Sequence, residues 1–162
     1  MSDSILPQGG VHRNTGEGKS FWLLRDLHTF KLVGDETRGS LVVAELNADF
    51  ELGPPPHVHR NADESFYILE GTFDFSLAGK AFSVGPGAFV YLPKGVVHTH
   101  KAGAGARARA LVMQSPAGVE RFIAEAGKPA TDLSHPPSAP EMSEFAKIVA
   151  IAQKHGIEVP PL

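Results

Sequence analysis

The chain has 162 residues, of which 42% are hydrophobic and 20% are charged, and its formal net charge is −3. This length fits one domain with a sizeable core, and the absence of a basic stripe argues against nucleic acid as a partner. No apolar stretch approaches the roughly 20 residues that span a bilayer, so we expect no membrane association. The first ten residues do not resemble a signal peptide and cysteine is absent, which favours a cytoplasmic protein.

Residues 21–114 contain many short segments of β-branched and apolar residues separated by turn residues, a spacing typical of a β-sandwich or barrel. Residues 72–84 alternate most clearly, with Phe73 and Phe75 on one face and Asp74 on the other. Residues 78–80 predict a hairpin turn in the middle of this segment. No helix-length pattern interrupts the strands, so we do not expect parallel βαβ units.

The region after residue 114 predicts two helices. Ser115 is suited to cap the first helix, and Gly127 would end it. Ser138 and Glu141 form a capping-box pattern at the start of the second helix, which Gly156 would end. Because a region this short can hardly bury a core of its own, we expect the helices to cover part of the barrel.

The strands and helices together predict an all-β protein with C-terminal helices. We expect a single domain over residues 1–162. Residues 1–20 would form an N-terminal arm, residues 21–114 a β-barrel, and residues 115–162 a helical C-terminal extension.

Two histidines and a glutamate lie close together just after three consecutive prolines. His57 and His59 are two residues apart, so in a strand both imidazoles face the same way. Glu64 follows a short turn that allows its side chain to return to the same point, and His98 is the candidate for a fourth ligand. Three imidazoles and one carboxylate suit a divalent first-row metal, with positions left open for water or substrate.

The alternative is that these histidines face solvent or are satisfied within the core. Four of the eight histidines, however, fall in two short stretches at 57/59 and 98/100, which favours a metal site. This ligand set accepts Fe, Mn, Co, Ni, Cu or Zn. We therefore expect one divalent transition metal per chain, without a prediction of its identity.

The spacing of these residues resembles the two signature motifs of the cupin superfamily. The first motif reads Gly53, His57, His59, Glu64 and Gly71, and the second reads Gly87, Pro93, Gly95 and His98. Two departures are visible, because three residues rather than five separate Gly53 from the first histidine, and Ala102 replaces the closing asparagine. Neither departure affects a candidate ligand.

The resemblance implies a cupin-type antiparallel jelly-roll barrel, with the three histidines and Glu64 as metal ligands at its mouth. The stretches GPPPHVH, DESFYILEG and QSPAGVERF are similar to single-domain bacterial cupins grouped with the quercetin 2,3-dioxygenases. Such enzymes use a divalent metal and O2 to cleave the central ring of a flavonol, and their glutamate ligand doubles as the base for the substrate hydroxyl. The resemblance therefore implies a catalytic role for Glu64, a small-molecule substrate and a homodimer; a purely structural ligand role for Glu64 is the alternative.

Five side chains near the ligands are candidates to wall a flat aromatic substrate: Phe66, Phe75, Phe89, Tyr91 and His100. The alternative for the phenylalanines is a place in the core, and for His100 a satisfied histidine beside the ligands. His28 shares a strand face with Phe30, and we expect it in the core.

The dioxygenase is one of three functions compatible with the sequence. Because one fold can host different reactions, a metal-dependent isomerase or lyase is the second possibility. A non-catalytic module that binds a small ligand is the third possibility.

Overall fold

The structure is a computed structural model, and it describes residues 4–5 and 7–161. In chain order the strands are β1 (Ser4–Ile5), β2 (Val11–His12), β3 (Ser20–Leu23), β4 (Asp26–Leu32), β5 (Val42–Ala48), β6 (Val58–His59), β7 (Asp63–Glu70), β8 (Phe73–Leu77), β9 (Lys80–Val84), β10 (Phe89–Leu92), β11 (His98–Ala102), β12 (Ala108–Ser115), β13 (Lys128–Pro129) and β14 (Ile157–Glu158). The helices are α1 (Val119–Ala126) and α2 (Met142–Lys154).

Two antiparallel sheets form the barrel. The larger sheet has the strand order β10-β7-β12-β5-β4-β3-β13, and the smaller sheet has the order β11-β8-β9. Two short pairs, β6 with β14 and β1 with β2, complete the sheets among the described residues. The prediction of an all-β jelly-roll barrel followed by two helices is confirmed.

The barrel core lies between the two sheets because each strand directs alternate side chains inward. In β8, Phe73 and Phe75 are buried while Asp74 is partly exposed, which confirms the predicted alternation. A two-residue turn at 78–79, with φ of +49° and +81°, joins β8 to β9. Such a pair of left-handed residues is the turn that matches the twist of an antiparallel hairpin.

A second apolar cluster joins the helices to the larger sheet. Phe122 and Ile123 of α1 and Ala152 of α2 are buried together with Phe30 of β4 and Ala44 of β5. Truncation of a buried Phe to Ala typically costs about 3–5 kcal/mol. The helices therefore cover part of the barrel, as expected, and their docking contributes to the stability of the fold.

The predicted start of α1 is wrong. The helix begins at Val119, whereas Ser115 is the last residue of β12 and lies opposite Asp63 of β7. The Ser115 hydroxyl donates a hydrogen bond to the carbonyl of Ser40 at 2.9 Å. Pairing within the sheet thus outweighs the preference of Ser for a helix cap. The predicted end at Gly127 is confirmed.

The predicted start of α2 is also wrong. This helix begins at Met142, with Glu141 as its N-cap, and Ser138 lies outside it. The reason is Pro140, because a proline disfavours the helical conformation of the residue before it. The helix ends at Lys154, just before Gly156 with its φ of +75°. Among the described residues, neither helix has the length and apolar character to cross a membrane.

Candidate metal centre

His57 and His98 are held side by side by their backbones. The amide of His57 donates to the carbonyl of His98 at 2.9 Å, and the amide of His98 donates to the carbonyl of His57 at 3.0 Å. This is the hydrogen-bonded pair of an antiparallel ladder, in which both side chains lie on the same face. The two imidazoles are distant in sequence, yet they meet with ring centroids 4.5 Å apart.

Two glycines of the cupin-like motifs allow this arrangement. A Cβ on Gly53 would lie 2.3 Å from the carbonyl oxygen of His100, so only glycine permits this close approach of the chain to β11. Gly95 has a φ of +80° and donates its amide to the carbonyl of His59 at 2.9 Å. Both glycines thus shape the backbone that carries the histidines.

The C-terminal extension closes the other side of the site. Ile157 of β14 pairs with His59 of β6, and the amide of Arg60 donates to the carbonyl of Gly156 at 2.9 Å. The short strand after α2 therefore holds the second histidine in place. This links the docking of the helices to the geometry of the site.

The four predicted metal ligands meet at one point. One ligand atom from each of His57, His59, Glu64 and His98 lies within 4.8 Å of the others, and all four residues are buried. The Glu64 Oε2 atom is 3.2 Å from His98 Nε2 and 3.6 Å from His59 Nε2. Ligands bonded to one first-row metal at about 2.1 Å would lie at similar separations of roughly 3 Å. The donor set and its spacing fit such an ion.

Backbone contacts set the tautomers that a metal requires. His57 Nδ1 lies 2.8 Å from the carbonyl oxygen of Pro55, and His98 Nδ1 lies 3.0 Å from that of Val96. A carbonyl oxygen accepts only, so each Nδ1 carries the proton and each Nε2 is left with its lone pair. Pro55, one of the three consecutive prolines before the histidine pair, supplies one of these carbonyls.

Gln114 fixes the orientation of the carboxylate. This residue lies on β12 directly opposite Glu64 of β7, and its Nε2 donates to Glu64 Oε1 at 2.9 Å. Gln114 is 2% exposed, so the bond is shielded from water. The sequence analysis did not identify Gln114. The one sign in the sequence is that Gln114 is polar although it lies on the same face of β12 as the buried Ala108 and Ala110.

The protonation of the cluster favours cation binding. Burial lowers the pKa of His57 to about 3, and the neighbouring His59 and His98 add to this effect. Burial also lowers the pKa of His59. Burial alone would raise the pKa of Glu64, but the facing imidazoles of His59 and His98 outweigh it and hold this pKa well below its ordinary value. Deprotonated ligands are the form that metals bind.

A cavity of about 100 Å³ lies against the cluster. Its polar end is formed by ligand residues together with Asp26, His28 and His100. Its apolar wall comes largely from β3 and the C-terminal extension, and includes Leu23, Phe122, Phe145, Ile148 and Val149. The helices thus enclose an apolar space beside a polar, metal-suited end.

The predicted aromatic wall of the substrate pocket is corrected by the structure. Phe66 and Phe75 are buried in the barrel core, and they do not line this cavity. Phe89 and Tyr91 lie on β10 with exposed fractions of 61% and 52%. Successive odd positions of β10 face outward, which places both rings on the outer surface of the edge strand. Of the five candidates, His100 alone lines the cavity.

Two further residues line the cavity. The sequence analysis did not identify Asp26, and it placed His28 in the core. Asp26 is buried at the start of β4, and the sequence offered no motif that marks it. His28, expected in the core, is partly exposed and lines the cavity. Its pKa is lowered to about 4 because burial disfavours the charged imidazole, so its imidazole is neutral at neutral pH.

Comparison with known proteins agrees with this geometry. A sequence model of the cupin domain matches residues 49–114, which contain all four candidate ligands. Quercetin 2,3-dioxygenase of Bacillus subtilis (strain 168) is 25% identical over 141 residues, covering 85% of this chain and 42% of that protein. The chain therefore spans about two fifths of the length of this relative.

Two solved structures show the same fold. KdgF from Halomonas sp. superposes with a TM-score of 0.56 at 18% identity, covering 64% of this chain and 90% of that chain. An RmlC-like cupin from Shewanella frigidimarina NCIMB 400 superposes with a TM-score of 0.57 at 18% identity, covering 68% and 95%. With the barrel, both motifs and the clustered histidines in place, the chain contains a cupin domain over residues 49–114.

Proposed function

We propose that this cupin is a metal-dependent dioxygenase that uses O2 on an aromatic or enolic small molecule, with a flavonol such as quercetin as the reference substrate. The observation that carries the proposal is that three of the four clustered ligands, His57, His59 and Glu64, line the polar end of an apolar cavity. The similarity to a quercetin 2,3-dioxygenase supports the reaction class.

The cavity wall favours a neutral and largely apolar substrate. The lining residues beyond the polar end are aliphatic or aromatic, and within the described part of the chain neither Lys nor Arg is among them. A phosphorylated or carboxylated substrate would find no cation to pair with other than a metal. A planar enol or phenol would bury its ring against the wall and direct its oxygen to the cluster.

The size of the cavity narrows the substrate further. Its volume of about 100 Å³ is below the roughly 300–1,000 Å³ of pockets for drug-sized ligands. A single-ring enol fits the enclosed space better than a three-ring flavonol. A flavonol would require the α1 or α2 wall to move outward, and Phe122 and Phe145 are the bulkiest side chains in that wall.

His57, His59, His98 and Glu64 would hold the metal. A bound divalent metal would polarise the enolic oxygen of the substrate and supply a site at which O2 can react. Glu64 would accept the proton of the substrate hydroxyl at Oε2, the carboxylate oxygen that Gln114 does not hold. The buried wall would exclude water from this proton transfer. If Glu64 serves only as a ligand, the proton must leave by another route.

Oxygen uptake tests the proposal. The protein is stripped of metal, reloaded with each divalent metal in turn, and given quercetin or a single-ring enol. Metal-dependent uptake that is lost in Glu64→Ala supports the dioxygenase. Glu70→Ala is the matched control, because Glu70 lies on the same strand but points its carboxylate into solvent beside Arg109. No uptake with any metal and either substrate would contradict the reaction class.

The same experiment separates the two other functions. Metal-dependent conversion of substrate without oxygen uptake would identify an isomerase or lyase. Ligand-induced stabilisation without any product would identify a binding module. Both outcomes would leave the metal site in place.

The homodimer and the cytoplasmic location stay proposals. Phe89 and Tyr91 support the dimer, because they expose two large rings on β10, the edge strand of the larger sheet. An exposed apolar edge strand is a natural surface for pairing with a second chain. The absence of cysteine supports the location.

A further inference from the structure

The cavity contains a polar pair that the metal site does not use. Asp26 of β4 and His100 of β11 both line it, with exposed fractions of 4% and 8%. Neither is one of the four clustered ligands. The pair therefore needs a separate explanation.

His100 is buried without a hydrogen-bond partner. Neither of its ring nitrogens has one, and the nearest carboxylate oxygen, Asp26 Oδ2, lies 3.7 Å from Nε2. This separation is too long for a hydrogen bond. The ring packs against Phe66 at 4.9 Å and Phe75 at 6.3 Å between centroids. Because buried polar groups are nearly always paired, these contacts hold an imidazole in the wall that requires a partner from inside the cavity.

The orientation of Asp26 defines what that partner must be. Its Oδ1 accepts the backbone amide of Asp49 at 2.7 Å, which leaves Oδ2 toward His100. The gap thus presents a carboxylate acceptor beside an imidazole. A hydroxyl is suited to it, because it can donate to Asp26 and accept from a ring N–H of His100. A ligand carboxylate or phosphate would be repelled by Asp26.

We propose that Asp26 and His100 form a hydroxyl subsite that selects substrates carrying a second hydroxyl besides the enolic oxygen held at the metal centre. The ligand class is a neutral, hydroxylated enol or phenol whose ring packs on the apolar wall. The inference rests on the proposed function only for the enolic oxygen at the metal. The proposed recognition of the second hydroxyl rests instead on the two ring nitrogens of His100, which have no hydrogen-bond partner.

Binding of a matched ligand pair tests the subsite without turnover. The probes are 5-hydroxy-2-(hydroxymethyl)-4-pyranone and its 2-methyl analogue, which share a metal-chelating enol and differ by one hydroxyl. Calorimetric titration into the zinc-loaded full chain should show about tenfold or greater preference for the hydroxymethyl compound. His100→Phe should abolish this preference and keep the metal content. His100→Gln, which retains a donor and an acceptor, should restore part of it, and the exposed His135→Phe should leave it unchanged.

Equal affinity of the two ligands for the unaltered protein, binding of neither, or a preference that persists in His100→Phe would overturn the subsite. If His100→Phe does not fold, the ring ¹⁵N signals of His100 in the unaltered protein decide, since the hydroxymethyl ligand should shift them and the methyl ligand should not. A preference for the hydroxymethyl ligand in a protein that never consumes O2 would uphold the subsite and contradict the dioxygenase.

Discussion

Gln114 Nε2 donates a hydrogen bond of 2.9 Å to Glu64 Oε1, so that Glu64 turns its other oxygen, Oε2, to the imidazoles of His59 and His98. The two residues face each other across β12 and β7. One oxygen of the carboxylate is therefore committed to the protein and one is left for a metal or a proton. Such partners of metal ligands fix ligand orientation and basicity.

Replacement of Gln114 should weaken metal binding without removing any ligand. For Gln114→Leu we expect a loss of about 10–100-fold in metal affinity, because Glu64 is no longer oriented and its Oε1 is left unpaired. Met113→Leu, one position along the same strand, is the control. Competition with a coloured chelator measures both. An unchanged affinity in Gln114→Leu would show that the hydrogen bond does not position the carboxylate.

His28 should make the metal-free protein sensitive to acid. Its pKa is lowered from 6.5 to about 4 by burial, so between these values the unfolded chain binds a proton that the native chain does not. The free energy of unfolding therefore falls as the pH falls, by about 2 kcal/mol from this residue between pH 7 and pH 5.

Urea unfolding at both pH values measures this effect. His28→Phe should lose less stability than the unaltered protein between pH 7 and pH 5, by about 2 kcal/mol. The exposed His135→Phe should not change the loss. The same loss in His28→Phe as in the unaltered protein would mean that the native state does not lower the pKa of His28.

Phe145 should limit the size of the substrate. It lies on α2 in the apolar wall of the cavity, so Phe145→Ala enlarges the space beside the metal site. We expect kcat/KM for a three-ring flavonol to rise about tenfold relative to a single-ring enol. Met142→Ala, on the same helix but 82% exposed, is the control. An unchanged ratio would show that this wall does not contact the substrate.

Phe89 should belong to the dimer interface. It is 61% exposed on the edge strand β10. Phe89→Ser should convert the dimer to a monomer, or raise its dissociation constant at least about tenfold, because a large apolar ring leaves the contact. Light scattering after gel filtration measures the mass. A monomeric unaltered protein would contradict the dimer. A dimer that Phe89→Ser does not weaken would show that its interface lies elsewhere.

The ligand cluster was predictable because its geometry follows from strand periodicity and two short motifs. His57 and His59 lie on one face of an extended segment, and Glu64 follows after one turn. The partnership with His98 depends on pairing between distant strands; the sequence offered His98 as a candidate, and the resemblance to cupin motifs supported it. The barrel was predictable for a similar reason, since alternation such as that of Phe73 and Phe75 reports which face is buried.

The rest of the site depends on contacts that leave no local pattern. Gln114 comes from β12, whereas Asp26 and His28 come from β4, and their common place in the site appears only when the larger sheet is assembled. Phe89 and Tyr91 are aromatic, as pocket-lining residues often are, but they lie on the outward face of an edge strand. The actual wall comes from the C-terminal helices, whose docking site on the barrel no motif indicates.

Metal titration tests the central claim most directly. The account predicts that the metal-free protein binds one Co²⁺ per chain, seen by absorption spectroscopy and confirmed by elemental analysis. The double variant His57→Ala/His98→Ala should bind none at concentrations that saturate the unaltered protein, whereas His135→Ala should bind one. Failure of the unaltered protein to bind Co²⁺, or one bound ion in the double variant, would contradict the assignment of His57, His59, Glu64 and His98 as a metal centre.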